Sequence, residues 1–443
     1  MNRRIDVEFQ NWHRQPSRKP LLVRGARQVG KTYSVRAFGR EFSSFVEVNL
    51  EEFPQLGIFF ENDQNPKTII EKLSQYVGEA IVPGKTLLFL DEIQACPNAL
   101  RSLRFFYEQM PDLAVVSAGS LLEFALAEIP SFGVGRISSL FMYPMSFFEF
   151  LDAVGEGLLG DAIRQADWHQ PLAQPLHQKA MALLRTYMVL GGLPEGLAYY
   201  AENSDALGVQ KILDELLVTL MDDFAKYKGR ISTDRMDATF KAITLQMGRK
   251  FSFSAVGEGS TTGFSTALDL LVKAGLAIKV YHSSCRGVPL AAQIKPSRFK
   301  VLPLDCGLYQ RVMRLDLQSY LVGRDIDLVN KGPLAELYVG LALLSTFPNH
   351  VRPELHYWHR EQRGSNAEVD YVFEHKGRAY PVEVKASKRG GMQSLRLFLA
   401  ERGLDHGIRI AGEAFASYEK IRVVPLYAAE NLRILLDKIE ADR

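Results

Sequence analysis

The sequence predicts an α/β protein that opens on a doubly wound parallel sheet. Three observations predict it. An apolar run, Leu21-Leu22-Val23-Arg24, leads into Gly25-Ala26-Arg27-Gln28-Val29-Gly30-Lys31-Thr32, a G-x-x-x-x-G-K-T loop of the kind that joins a strand to a helix. A second run, Lys85-Thr86-Leu87-Leu88-Phe89-Leu90-Asp91-Glu92, stays apolar up to two acids, as suits a strand buried on both faces. Around these, strand-like and helix-like segments alternate, the order of a parallel sheet covered by helices.

In the loop, the glycines let successive backbone N–H groups turn inward onto the β- and γ-phosphates of a nucleoside triphosphate. Lys31 then neutralises phosphate charge, and the Thr32 hydroxyl reaches Mg²⁺. The helix that begins near Lys31 adds its positive dipole end. ATP and Mg²⁺ are the expected ligands, with the loop and Tyr33 as the nucleotide contacts. Tyr33 to Phe42 reads as a helix, Phe45 to Leu50 alternates like a strand, and a helical region follows around Ile69 to Val77.

The two acids that end the buried run have separate jobs. Asp91 is expected in the Mg²⁺ shell, and Glu92 is expected to polarise the attacking water. Asp112 to Ser120 is the next strand and turn. Ser117 and Ser120 there either sense the γ-phosphate or merely cap the helix that starts at Leu121. Arg136 follows the flexible Gly133-Val134-Gly135. It is a candidate arginine finger, in cis or across a subunit boundary, or a surface arginine pairing with Glu149 or Glu128. Arg101 and Arg104 are its rivals.

Composition sets outer limits. The chain has 443 residues, 47% of them hydrophobic and 23% charged, enough for two to four ordinary domains. A net charge of +2 gives no global pull toward nucleic acid or membrane, so any DNA contact must come from a local basic face. Cys96, Cys285 and Cys306 form no C-x-x-C pair, which suggests neither a disulfide framework nor a zinc site and fits a reducing, cytoplasmic compartment. No signal-peptide or membrane-spanning run is evident.

Residues 151–230 read as a helical lid or connector. Gly155 to Pro175 looks like a loose link, followed by helices over Leu176 to Leu190 and about Leu207 to Tyr227. Residues 231–325 have the order of a winged helix: a helix over Arg235 to Gln246, a second over Phe264 to Ala274, and a hairpin from Gly275 to Tyr281 and Arg298 to Leu304. Lys273, Lys279, Arg286, Lys295, Arg298 and Lys300 on the hairpin side are candidate phosphate contacts with DNA. The other reading is a docking or oligomer module.

Residues 326–443 carry a dispersed acidic set. A helix holding Glu336 is followed by short strands at His356 to Trp358, Ala367 to Phe373 and Tyr380 to Lys385, and then a helix over Met392 to Arg402. Glu383 and Lys385 are two apart on one strand and face the same way, and Asp370 lies on the adjoining hairpin strand. Three gathered carboxylates call for a hard cation such as Mg²⁺. Lys385 would orient water or stabilise developing charge. A solvent-facing salt-bridge cluster is the alternative.

The order E…D…E-x-K resembles the restriction-endonuclease-like nucleases. The phosphate loop, Leu90-Asp91-Glu92-Ile93-Gln94, Ala118-Gly119-Ser120-Leu121-Leu122, Gly135-Arg136 and Tyr143-Pro144-Met145-Ser146-Phe147-Phe148-Glu149-Phe150 resemble a bacterial and archaeal group of AAA-type P-loop ATPases. Members of that group carry a C-terminal restriction-endonuclease-like domain of uncharacterised function. Together these readings point to an ATP-hydrolysing protein acting on DNA, in which a P-loop ATPase domain over residues 1–150 is coupled through the winged helix to a Mg²⁺-dependent nuclease-like domain; the resemblance adds a possible homo-oligomer. The group usually has threonine where this chain has Ala118. The competing expectation is a nucleotide-dependent switch or chaperone-like ATPase whose C-terminal domain docks DNA or a protein without cleaving it.

Overall fold

The computed structural model describes residues 2–61, 64–120, 122–128, 135–224, 231–315, 331–362, 364, 366–386 and 391–442. Gly133 and Val134, Leu121, Tyr227 and the expected boundary at 325/326 lie outside them.

The first sheet is built from β1 (Leu21–Arg24), β2 (Ser44–Asn49), β3 (Thr86–Asp91), β4 (Ala114–Ala118) and β5 (Ser138–Phe141), in the order β2-β3-β4-β1-β5. Every neighbouring pair is parallel. Alternation along the strands splits the core between two faces. Leu21, Val23, Leu87, Phe89 and Val116 join Ile5, Phe9 and Trp12 of the helix Arg4–His13. Leu22, Leu88, Leu90 and Val115 instead meet Ile69, Leu73, Leu100 and Phe106 from the helices Pro66–Val77 and Pro97–Gln109. All of β3 is buried, which is why its sequence shows no polar alternation. The loops after β1, β3 and β4 open side by side at the carboxyl edge, where a sheet of this kind binds its ligand.

Behind this sheet come helices. The expected link at Gly155 to Pro175 contains the helix Gly157–Gln165, because Leu159 and Ile163, one turn apart, are buried there. The helices Gln174–Leu190, Pro194–Asn203 and Ala206–Asp222 follow. Among the described residues no helix is long and apolar enough to cross a membrane.

The second sheet has eight strands: β6 (Ala277–Ser283), β7 (Ile294–Pro303), β8 (Leu355–His359), β9 (Glu368–His375), β10 (Arg378–Lys385), β11 (Gly407–Ala411), β12 (Ala416–Tyr418) and β13 (Ile421–Pro425). Their order is β12-β13-β11-β10-β9-β8-β6-β7. The helices Thr233–Leu245 and Thr261–Lys273 precede the β6–β7 hairpin as expected, but the hairpin does not stand free as a wing. β6 pairs in parallel with β8, so the hairpin completes the C-terminal sheet. The reason is burial: Val280, Val301 and Leu302 join the same core as Leu337 and Tyr371, and an exposed wing would leave them in water.

The two sheets are also tied at an edge. The backbone N–H of Phe141 donates to the Asn349 carbonyl at 2.7 Å, and the Asn349 side-chain amide donates back to the Phe141 carbonyl at 2.9 Å.

Candidate functional site

The phosphate loop needs its glycines for stated reasons. Gly25 has φ +153°, and a Cβ there would lie 2.2 Å from the Met142 carbonyl oxygen; Gly30 sits at φ +90°. Gln28 holds φ +65° without glycine's freedom, a strain kept at functional turns. The loop is braced from behind. Buried Arg3 donates from Nη1 to the Val29 carbonyl at 2.9 Å and from Nε to Glu149 at 2.9 Å, while Glu149 closes a capping box with Ser146. Glu149 is therefore engaged with Arg3 rather than with Arg136.

Lys31 Nζ donates to the carbonyls of Gly25 (2.9 Å) and Ala26 (2.7 Å). Burial lowers its pKa to about 8, with Glu92 and Asp91 pulling the other way. Thr32 Oγ1 donates to Asp91 Oδ2 at 2.9 Å, and Asp91 Oδ1 accepts from the Glu92 N–H at 3.0 Å. Burial raises the Asp91 carboxyl, with the Thr32 hydrogen bond opposing. A hydroxyl beside a buried carboxylate, at the start of a helix, is a donor set that fits Mg²⁺.

Glu92 takes a left-handed backbone conformation, φ +47°. Its carboxylate accepts from Gln94 Nε2 at 2.5 Å and from Ser120 Oγ at 3.3 Å. Arg27 Nε donates to Ser120 Oγ at 3.2 Å, and Arg27 Nη1 meets Asp223 at 2.5 Å. A cleft of about 640 Å³ is lined by Arg27, Lys31, Thr32, Tyr33, Glu92 and Ser120. Of the two sensing candidates, Ser120 reaches this cleft, while Ser117 is fully buried in β4 and does not line it. Arg136 lies outside the cleft and pairs with Glu108. Gln94, Asp223 and Arg3 carry no motif that marks them for this cleft. Gln94 had a local signal, two residues beyond Glu92; the other two are brought in only by folding.

The C-terminal set also assembles. Asp370 Oδ2 accepts from the Val384 N–H at 2.8 Å, Lys385 Nζ meets Glu383 at 2.6 Å, and Glu336 comes from the helix Lys331–Ser345. Among them sits a residue expected elsewhere. Lys300 of β7, a candidate DNA-phosphate contact by sequence, has a side chain only 1% exposed, with Nζ 2.8 Å from Glu336, 2.5 Å from Glu368 and 3.9 Å from Asp370. Burial alone lowers an amine, but Glu336, Asp370 and Glu368 together outweigh it and hold Lys300 charged. Burial raises the Glu336 carboxyl against the pull of Lys300, and burial raises Glu383 with Asp370 adding to it. The donor set does not fit a metal with Lys300 present: no group of three or more His, Cys, Asp and Glu among the described residues is placed to hold an ion. Other hairpin cations are paired as well, Lys279 with Asp269, and Lys295 and Arg298 with Glu361.

Residues 17–151 match the family model for an AAA domain. That stretch, under a third of the chain, is similar to AAA domains and contains the phosphate loop. Further along, residues 181–319 match a Domain of unknown function (DUF8612) and residues 331–428 a Domain of unknown function (DUF4143). None of the curated proteins matches. Among solved structures, the chain is similar to a Walker-type ATPase of Pyrococcus abyssi at 17% identity and TM-score 0.44, covering 71% of this chain and 96% of that one. The Orc1 protein of Aeropyrum pernix, solved in complex with DNA, matches at 14% identity and TM-score 0.30, covering 73% and 94%. Cdc6p of Pyrobaculum aerophilum matches at 13% and 0.25, covering 62% and 85%.

Proposed function

We propose that the protein binds and hydrolyses ATP in the cleft at the carboxyl edge of β1, β3 and β4, and uses the cycle to act on DNA through its C-terminal half. The observation that carries the ATPase part is the 2.9 Å contact of Thr32 with Asp91 beside the Lys31 ammonium. In this reading Lys31 leaves the carbonyls of Gly25 and Ala26 for the phosphates. Thr32 and Asp91 would hold Mg²⁺, which supplies positive charge against the phosphate oxygens when bound. Glu92, aimed by Gln94 and Ser120, orients the attacking water. Arg27 and Ser120 line the same cleft and, with nucleotide bound, would be the residues through which the γ-phosphate is read. Arg136 enters only across a subunit boundary.

Coupling has a physical route. Gly275, at φ +77°, lies against the loop, and a Cβ on it would be 3.2 Å from both Cβ and N of Ala26. The turn that opens β6 therefore touches the phosphate loop directly. We treat residues 1–150 as the engine and 231–443 as one driven unit, because β6 and β7 belong to the C-terminal sheet.

The ion pairing of Lys279, Lys295, Arg298 and Lys300 favours the second reading, a nucleotide-dependent switch whose C-terminal half docks a partner without cleaving DNA. An ATPase assay with and without branched DNA, run beside Lys31→Ala, separates them. DNA-stimulated turnover lost in Lys31→Ala supports action on DNA. Turnover indifferent to DNA supports the switch. Equal turnover in Lys31→Ala removes the ATPase reading altogether.

A further inference from the structure

The E…D…E-x-K cluster has the residues of a metal site and a different cation in it. Four carboxylates, Glu336, Glu368, Asp370 and Glu383, meet two ammonium groups, Lys300 and Lys385. An ammonium has three N–H donors. From the buried end of β7, Lys300 sets them against Glu336 and Glu368, while Asp370 at 3.9 Å adds only its charge. The Glu336 and Glu368 oxygens are thereby turned onto Nζ at hydrogen-bond distance. Mg²⁺ would need such oxygens at about 2.0–2.1 Å around a shared centre, and at that centre it would face the Lys300 charge at close range in a medium that screens poorly.

One oxygen is left over. Glu383 is 5% exposed, and its Oε2 has no hydrogen-bond partner among the described residues. A buried carboxylate oxygen without a donor is costly.

We infer that Lys300 is the resident cation of this cluster, closing a latent divalent-metal site formed by Glu336, Asp370 and Glu383. As folded, the C-terminal sheet then has no metal to activate water. The inference is independent of the ATPase reading.

The test is Mn²⁺ titration of the full chain without nucleotide, followed by electron paramagnetic resonance. An Asp91→Asn background removes the phosphate-loop carboxylate. The expected result is no saturable site in the background protein, and one saturable Mn²⁺ site per chain after Lys300→Met. Adding Glu383→Gln abolishes that gain. Where Lys300→Met does not melt cooperatively, Lys300→Gln is read in its place. Glu383-dependent Mn²⁺ binding already present in the background protein would overturn the inference. So would a folded Lys300 variant that gains no site. Neither result touches ATP binding, which is measured separately.

Discussion

Raising the pH discharges Lys31 before any ordinary lysine. Its amine is lowered to about 8 by burial, despite Glu92 and Asp91, so the free protein is mostly charged there below that pH and mostly neutral above it. Phosphate needs the charged form, so above about pH 8 binding must take up a proton. With one titrating group, occupancy of the charged form falls from about 90% near pH 7 to about 10% near pH 9, close to a tenfold loss or ~1.4 kcal/mol in ATP affinity. The sign is fixed: affinity falls as pH rises. The assay is calorimetric titration of ATP with excess Mg²⁺ at both pH values, repeated with Lys31→Arg, whose guanidinium stays charged, and with Lys31→Ala. The wild-type Kd should rise roughly tenfold, and the two variants should show a flat profile. A flat wild-type profile, or an equal slope in Lys31→Ala, refutes the argument.

Glu92→Gln should still bind ATP but release phosphate ~10²–10⁴-fold more slowly, the usual worth of a positioned base; phosphate release in single turnover reads it. Gly275→Val should cost ~1–2 kcal/mol from its left-handed backbone and weaken ATP binding several-fold through Ala26, seen as a lower urea midpoint and a higher Kd. Lys300→Met leaves its carboxylates uncompensated. Keeping one buried glutamic acid protonated near pH 7, where the unfolded side chain is ionised, costs up to ~3.5 kcal/mol. The native variant then binds more protons than its unfolded chain, so its stability falls as pH rises from about 5 to about 7. Urea unfolding at both values checks this, and a loss that does not vary with pH counts against the buried-cluster account.

The sequence by itself determined the nucleotide cleft. Glycine positions, the lysine, the hydroxyl and the acids at the end of β3 act through the backbone conformation of a few consecutive residues, and such chemistry is legible locally. It also determined which residues of the C-terminal half share a sheet face, since Glu383 and Lys385 follow the strand's two-residue period. Only the tertiary structure decided that β6 pairs with β8, a contact between residues far apart in sequence with no local signature. That pairing carries β7 under the helix Lys331–Ser345. It turns Lys300 from an apparent surface cation into the buried partner of Glu336, while Arg298, two residues earlier on the same face, stays at the surface with Glu361. A charged side chain is buried or exposed according to what covers it, and the covering helix comes from another part of the chain.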